Sequence, residues 1–374
     1  MTTAIVDFQG WRALALENEH TQLLVLPELG GKIASICSKT TGTEFLWQDP
    51  TRSYRARTYD DEYSNYDASG FDECFPSIGA CAYPGEPWDR IAIPDHGELW
   101  CVPWRYELID ERTIYLHTYG VRFPYHFEKW ITLADDAAQY TLRYQLTNLS
   151  AFAFKSLWSA HPLFAAQPGM RVVLPGSPKM RLTHASGMRI GAQLLQEYEW
   201  PWLHSPDGAP LDYSLLGQPS LNANDKIFAN TPAEGWCALF SPQTGEFVAL
   251  TLSARETPFI GVCINHGGYP PTGARAFWVA IEPCTGWPDR LDEAGLGAHK
   301  TLDPWASVTW SLGLRLGQTT TVDATANPQS LIAYLASLAT QEYIQGGTDH
   351  GSDSTAAAVL RDVRLPRDAG PGGG

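Results

Sequence analysis

Residues 113–119 read Thr113-Ile114-Tyr115-Leu116-His117-Thr118-Tyr119, a stretch in which apolar and polar side chains alternate with a period of two. The same alternation recurs in Tyr140-Thr141-Leu142-Arg143-Tyr144-Gln145-Leu146. Because successive side chains of a strand point to opposite faces of its sheet, this pattern predicts strands with one buried face. These two stretches therefore indicate a β-protein.

Further strands are predicted later in the chain. Residues 237–240 and 247–250 flank Pro242-Gln243-Thr244-Gly245, a favourable turn sequence, and together they predict a hairpin. Consecutive strands with hairpin-type connections and almost no helix predict an all-β fold, a large antiparallel β-sandwich in which two sheets pack face to face. The other predicted strands of this part lie at 259–264, 276–281 and 307–316.

Two segments near the C-terminal end differ from this β-pattern. In residues 328–344 the spacing of Leu331, Leu335 and Leu338 forms an apolar stripe, which predicts one C-terminal helix. Residues 346–374 are rich in Gly, Asp, Ser and Pro, which predicts a disordered tail. The expected organisation is one β-sandwich domain over residues 1–345, followed by the tail at 346–374.

The segment between about residues 49 and 94 lacks a strand pattern. It is polar and aromatic, contains Gly and Pro, and is too long to be a simple connection in a compact domain. Because loops of this length are usually functional, the sequence predicts that this segment contributes to a site.

The formal net charge of −15 restricts the partners that this chain is expected to bind. Nucleic acids and anionic membrane surfaces recruit basic patches, so a small molecule is the expected partner. No apolar run approaches about 18 residues, and the first residues lack the basic and apolar regions of a signal peptide. We expect a cytoplasmic protein, monomer or homodimer, that binds neither nucleic acid nor membrane.

Polar residues are concentrated in four segments with apolar or aromatic surroundings, each in the long loop or at the end of a predicted strand. Glu282 illustrates the pattern, because it ends the apolar run Val279-Ala280-Ile281, where an ionised carboxylate is costly unless it is paired or used. The four segments are Gly70-Phe71-Asp72-Glu73-Cys74-Phe75-Pro76, Asp95-His96-Gly97-Glu98-Leu99-Trp100, Trp158-Ser159-Ala160-His161-Pro162-Leu163-Phe164, and Ile281-Glu282-Pro283 through Trp287-Pro288-Asp289.

The order and content of these segments resemble the aldose 1-epimerase family, also called galactose mutarotases, from about Thr21 to Leu316. The opening Leu26-Pro27-Glu28-Leu29-Gly30-Gly31-Lys32-Ile33 is similar to the family's first strand and Gly-Gly turn. Asn224-Asp225-Lys226-Ile227-Phe228 resembles the motif that supplies a sugar-binding aspartate. The resemblance implies the large galactose mutarotase-like supersandwich and a cleft that binds a sugar.

The resemblance also implies roles for individual residues. His161, in His-Pro-Leu-Phe, looks like the family's catalytic histidine, and Glu282 resembles its general base. The expected substrate-binding residues are His96, Asp72, Glu73, Trp100, Asp225 and Lys226.

The implied reaction is the interconversion of the α and β anomers of a sugar by ring opening. It needs a base that takes the proton of the C1 hydroxyl and an acid that protonates the ring oxygen. A histidine titrates near neutrality and a carboxylate is a competent base, so His161 as acid and Glu282 as base suffice. We therefore expect an aldose 1-epimerase-like isomerase without metal or cofactor.

Two departures from the galactose-specific members concern the sugar. Their Asn-Arg pair before the first histidine has no match between Tyr54 and Gly70, where Arg55, Arg57 and Asn65 stand in another arrangement. Lys226 replaces a different residue, and its ammonium could bind a hydroxyl or an anionic substituent. The sequence therefore does not select one sugar.

Three alternatives remain to be compared with the isomerase. One is a non-catalytic carbohydrate-binding protein on the same fold. Another is a sugar lyase or hydrolase, in which Glu73 or Glu98 would face Glu282 at about 5 to 10 Å. The third is a zinc enzyme suggested by His96-x-Glu98, but Pro283-Cys284 is not followed by the second cysteine of the zinc deaminase signature.

Overall fold

The computed structural model describes residues 2–270 and 275–319, which belong to one compact unit. The predicted helix at 328–344, the predicted tail at 346–374 and the domain boundary between them lie outside the described residues. No helix in the described part of the chain is long and apolar enough to cross a membrane.

Strands form nearly all of the regular structure in the described residues. In the first half of the chain they are β1 (Thr2–Phe8), β2 (Trp11–Glu17), β3 (Thr21–Leu26), β4 (Lys32–Ser38), β5 (Phe71–Cys74), β6 (Cys81–Ala82), β7 (Ala92–Ile93), β8 (Arg105–Leu108), β9 (Thr113–Tyr119), β10 (Tyr125–Leu133), β11 (Gln139–Asn148), β12 (Phe154–Ser156) and β13 (Ser159–Ala165).

The second half contributes the remaining strands and part of the short 3-10 turns. The strands are β14 (Arg171–Val173), β15 (Lys179–Ala185), β16 (Glu197–Glu199), β17 (Trp202–His204), β18 (Pro210–Asp212), β19 (Ala223–Asn230), β20 (Trp236–Phe240), β21 (Glu246–Leu252), β22 (Phe259–His266), β23 (Phe277–Cys284), β24 (Lys300–Leu302) and β25 (Ser307–Gln318). The 3-10 turns of the whole described chain are Pro27–Leu29, Tyr63–Asn65, Leu99–Cys101, Pro219–Leu221 and Leu291–Leu296.

Two large sheets contain most of these strands. One has 11 strands in the order β1-β2-β3-β4-β5-β13-β23-β22-β19-β15-β16, and the other has 8 in the order β14-β20-β21-β25-β11-β10-β9-β8. Their central ladders are antiparallel. The pairs β12–β24, β17–β18 and β6–β7 form small separate ribbons.

The two sheets pack face to face, as the predicted sandwich requires. Along β10 every second residue is buried, and these residues face the 11-stranded sheet. Glu73 of β5 crosses the interface, where its Oε1 lies 2.9 Å from Lys129 Nζ and accepts a hydrogen bond of 3.0 Å from the Tyr144 hydroxyl. The all-β sandwich prediction is confirmed, and so are the strands at 113–119 and 140–146 and the hairpin, which is β20–β21.

The long polar segment differs from its prediction, because it contains a central strand of the 11-stranded sheet. β5 carries the adjacent carboxylates Asp72 and Glu73, so its sequence shows no alternation of apolar and polar residues. Both carboxylates are nevertheless buried, since each is paired with a lysine. His161 and Glu282 also lie inside β13 and β23 rather than at strand ends.

Candidate active site

A cavity of about 210 Å³ lies against the face of the 11-stranded sheet that points away from the 8-stranded sheet. His161, Lys226 and Glu282 line it from three different strands. Their neighbours Ala160, Ile227 and Ile281 point the other way, into the core between the sheets. Side-chain alternation along β13, β19 and β23 therefore presents these polar groups to the cavity.

His161 and Glu282 face each other across neighbouring antiparallel strands. Ser159 pairs with Cys284 and Leu163 pairs with Ala280, so His161 and Glu282 occupy the matching positions midway between these pairs. Residues that are directly opposite share one face of a sheet, with Cβ atoms about 4.5–5.5 Å apart. The register of one ladder thus brings the two predicted catalytic side chains together.

Both side chains keep a polar atom without a hydrogen-bond partner among the described residues. His161 Nδ1 and Glu282 Oε1 are buried and unpaired. Buried polar atoms are nearly always hydrogen-bonded, so two such exceptions in one cavity indicate groups that a bound molecule would satisfy.

Lys226 is held between two carboxylates in the cavity wall. Its Nζ lies 2.8 Å from Glu282 Oε2 and 2.7 Å from Asp289 Oδ1. Burial acts to lower the pKa of Lys226, but the charges of Asp289 and Glu282 outweigh it and hold this pKa well above its ordinary value. The amine therefore stays charged, and its role as a substrate-binding residue stays a prediction.

Gly261 makes the contact between Lys226 and Glu282 possible. Their strands, β19 and β23, are separated by β22, in which Gly261 pairs with Glu282. A Cβ at Gly261 would lie 3.3 Å from both Glu282 Oε2 and Lys226 Cε. The missing side chain lets the lysine reach across β22.

Opposing effects act on the pKa of Glu282, whereas the main effects on the pKa of His161 have one direction. Burial raises the pKa of Glu282, Lys226 lowers it and Asp289 raises it again, with a net increase. Burial lowers the pKa of His161 well below its ordinary value, helped by the positive charge of Lys226. His161 is consequently a neutral imidazole at neutral pH.

His96 lines the same cavity from the long loop segment. Its ring stacks on Tyr63 at 4.0 Å between centroids, and its Nδ1 lies 2.9 Å from Asp95 Oδ1. The edge of His161 approaches both rings, at 5.0 Å for His96 and 5.6 Å for Tyr63. The structure thus brings both predicted site histidines together, and the substrate contact of His96 remains a prediction.

Gly97→Ala is expected to destabilise the fold by at least about 2 kcal/mol. Gly97 has φ +73°, and a Cβ there would lie 2.1 Å from the backbone oxygen of Phe75. Gly10→Ala is the matched control, because Gly10 has φ +84° with open space around it. Urea unfolding of both variants measures the difference. Equal losses would show that the contact with Phe75 does not constrain the turn that carries His96.

Asp72 and Trp100 lie beneath the cavity and do not line it. Asp72 pairs with His161 in the β5–β13 ladder, but its Oδ2 is occupied by Lys32 at 2.6 Å and by the Tyr63 hydroxyl at 3.0 Å. Trp100 is fully buried and contacts Tyr63 edge-on at 5.0 Å. Neither residue is part of the cavity lining and both contact Tyr63, which does line it, so their direct sugar contacts stay a prediction.

Glu73 and Asp225 point away from the cavity, which corrects their predicted placement. Glu73 pairs with Ala160 and Asp225 pairs with Ile264, and both partners face the core. Asp225 Oδ2 binds Arg189 at 3.2 Å. Neighbours in a strand face opposite sides, so Asp72 and Glu73, or Asp225 and Lys226, could not both line one cleft.

Several cavity residues carry no signal in the sequence. Tyr63 comes from a 3-10 turn in the long segment, and Tyr269 follows β22. In the sequence Asp289 is distinguished only as the end of the polar segment that begins at Ile281, and its contact with Lys226 depends on the tertiary structure. Within residues 2–270 and 275–319, no group of three or more His, Cys, Asp or Glu side chains is arranged to hold a metal ion.

Comparison with solved structures identifies the class of fold. A galactose mutarotase-like protein from Lactobacillus casei superposes with a TM-score of 0.58 at 17% identity, covering 82% of this chain and 100% of that chain. A galactose mutarotase related enzyme from Lactobacillus acidophilus superposes with a TM-score of 0.58 at 17% identity, covering 83% of this chain and 98% of that chain. A galactose mutarotase-like protein from Clostridium acetobutylicum superposes with a TM-score of 0.56 at 12% identity, covering 85% of this chain and 98% of that chain. This chain therefore has the galactose mutarotase-like fold.

Sequence comparison adds one family. Residues 2–111 match the family described as "Domain of unknown function (DUF5107)". No curated protein sequence matches this chain. The likeness to the solved structures concerns the fold, and the activity has to be argued from the site itself.

Proposed function

We propose that this protein is an aldose 1-epimerase-like isomerase that interconverts the α and β anomers of a small sugar. The observation that carries the proposal is the position of His161 and Glu282, opposite each other on β13 and β23 and facing one cavity. Each offers an unpaired, buried polar atom there. One acid and one base on the same face are what ring opening needs.

In the proposed reaction Glu282 takes the proton of the C1 hydroxyl while the bond between C1 and the ring oxygen breaks. The neutral His161 donates a hydrogen bond from its ring N–H to the ring oxygen and stabilises the negative charge that develops on it, so the proton taken by Glu282 is the only one transferred. The resulting aldehyde rotates about its C1–C2 bond, the ring oxygen attacks C1 from the other face, and Glu282 returns its proton to the C1 oxygen. No atom is gained or lost, so the residues need no cofactor for this step.

Lyase or hydrolase chemistry with two facing carboxyls has less support. Glu73 lies on the core side of β5. Glu98 is fully buried and accepts hydrogen bonds from the backbone N–H groups of Val121 and Arg122. Neither of these two glutamates lines the cavity. Asp289 does line it, but Asp289 and Glu282 lie on the same side because both carboxylates bind the ammonium of Lys226.

A non-catalytic sugar-binding protein is the second candidate, because the same cavity could bind without reacting. A bound sugar would satisfy the unpaired atoms in either case, but a carboxylate base directly opposite an imidazole donor is the arrangement that ring opening needs, which favours the enzyme. We propose a cytoplasmic enzyme, either a monomer or a homodimer, that acts on a small sugar.

The test is anomer exchange measured by NMR over a panel of aldoses, with uronic and amino sugars included. We expect at least one aldose to equilibrate faster with the protein than in buffer. Binding without acceleration for every sugar would support the binding protein instead, and the isomerase proposal would then be abandoned.

Lys226→Met and Asp289→Asn are expected to shift the acidic limb of the pH profile of kcat/KM in opposite directions. Glu282 must be ionised to act as base, so kcat/KM falls as the pH falls through its pKa. Lys226→Met removes a charge that lowers the pKa of Glu282, so the limb should move to higher pH by about one unit or more. Asp289→Asn removes a charge that raises this pKa, so the limb should move to lower pH.

The measurement is kcat/KM from pH 4 to 8 for the wild type and both variants, on the roughly four-unit range where a carboxylate base titrates. Shifts of the same sign in both variants, or no shift in either, would show that Glu282 is not the base.

A further inference from the structure

A second cavity, of about 360 Å³, shares no lining residue with the His161–Glu282 cavity. Leu146 of β11 and Trp310 of β25 contribute its wall from the 8-stranded sheet, and Trp158 contributes from the segment before β13. It is larger than the candidate active site, which measures about 210 Å³. Its size is that of a pocket for a small organic molecule.

The floor of this second cavity is aromatic and contains one unused donor. Phe75, Trp158 and Trp310 are buried there, with the two indole rings edge to face at 5.0 Å. Trp158 donates its Nε1–H to Glu73, whereas Trp310 Nε1 is buried with no hydrogen-bond partner among the described residues. A buried indole N–H normally finds an acceptor, so a ligand atom that accepts a hydrogen bond fits here.

The mouth carries two cations that have no ion-pair partner in the described part of the chain. Arg255 is exposed, and Lys300 is half-buried with its Nζ 3.5 Å from the Arg255 backbone oxygen. Glu256 is the acidic residue of the lining, and its Oε2 accepts a hydrogen bond from the Ser311 backbone N–H. In a chain of net charge −15, two cations grouped over an aromatic floor form a local site for an anion.

We propose that this cavity binds a small amphipathic carboxylate with a planar, apolar body. The body lies on Trp158 and Phe75, a hydrogen-bond acceptor of the ligand receives the Trp310 N–H, and the carboxylate lies at the mouth beside Arg255 and Lys300. The site is separate from the proposed sugar site and does not depend on the isomerase activity.

Quinoline-6-carboxylate is the probe, because its planar body has a ring nitrogen at the end opposite the carboxylate that can accept the Trp310 N–H, and the neutral quinoline-6-carboxamide is its matched control. The ¹⁵N-labelled full-length protein is titrated with each, and the indole resonance of Trp310 is assigned by its loss in Trp310→Phe. We expect quinoline-6-carboxylate to shift this resonance, and to bind about five- to tenfold more weakly to Arg255→Gln/Lys300→Gln. The carboxamide should bind wild type and double variant alike.

Arg12→Gln/Arg105→Gln is the charge-matched control, because both arginines are exposed, form no ion pair with a described residue and lie outside the cavity lining. It should bind quinoline-6-carboxylate like the wild type. The proposal is overturned if quinoline-6-carboxylate leaves the Trp310 resonance unmoved up to millimolar concentration. It is also overturned if both double variants weaken binding equally, or if an aldose displaces the probe.

Discussion

Glu282→Gln is expected to lower the protein-catalysed rate of anomer exchange by at least about 100-fold, and His161→Asn by a similar factor. Glutamine keeps the shape of Glu282 and an oxygen for Lys226, whose Nζ lies 2.8 Å from Oε2, but it cannot accept a proton. Asparagine likewise removes the imidazole while it leaves a polar side chain on β13. Both rates are measured by NMR on whichever aldose the panel identifies.

Asp225→Asn is the control for these variants. Asp225 lies on β19 next to Lys226, but its side chain faces away from the cavity and binds Arg189. We expect its exchange rate to stay within about threefold of the wild type, because the residue does not touch the proposed sugar site. A large loss in Asp225→Asn with an intact thermal transition would contradict the assigned faces of β19. An unchanged rate in Glu282→Gln would remove the proposed base.

Breaking the ion pair between the sheets is expected to have the largest effect on stability. Lys129 and Glu73 are fully buried, with Nζ 2.9 Å from Oε1. Lys129→Met leaves the buried Glu73 carboxylate without its partner charge, and Glu73→Gln does the same to the Lys129 ammonium. Each variant should lower the free energy of unfolding by about 3–5 kcal/mol. Urea unfolding at neutral pH measures this cost.

The double variant Glu73→Gln/Lys129→Met should lose less than the sum of the single losses. It contains no buried charge at this position, and the amide oxygen of the introduced glutamine could still accept from Tyr144 or Trp158, which now bind the Glu73 carboxylate. Arg112→Met breaks an exposed pair with Asp135 and should change stability by less than about 1 kcal/mol. Additive losses in the double variant would show that the two side chains are not coupled.

Strands are marked most directly in the sequence where one face of the sheet meets solvent. β9 and β10 alternate between buried and partly exposed residues, and this alternation is visible in 113–119. β13 and β23 are almost wholly buried on both faces, because loops cover the cavity side. Their sequences show an apolar run with a polar residue inside it, and the strand predicted at 276–281 therefore ended before Glu282, which β23 includes.

The structure brings His161 and Glu282 together in one cavity, and their catalytic roles stay a prediction. His161 and Glu282 stand within apolar runs, which marks them as groups that need a partner or a use. Glu73 and Asp225 are buried carboxylates as well, but they are paired inside the protein, with Lys129 and Arg189. The sequence signal marks buried charge and does not distinguish an internal ion pair from a site.

The sequence by itself determined the all-β class, because side-chain alternation acts over a few neighbouring residues, and its resemblance to the aldose 1-epimerase family singled out the two candidate catalytic residues. Only the tertiary structure decided that His161 and Glu282 are opposite each other, and that Lys226 reaches Glu282 across Gly261. These contacts depend on the register between β13 and β23 and on the order of β19, β22 and β23. Register and strand order are set by pairing between distant segments, which no local pattern contains.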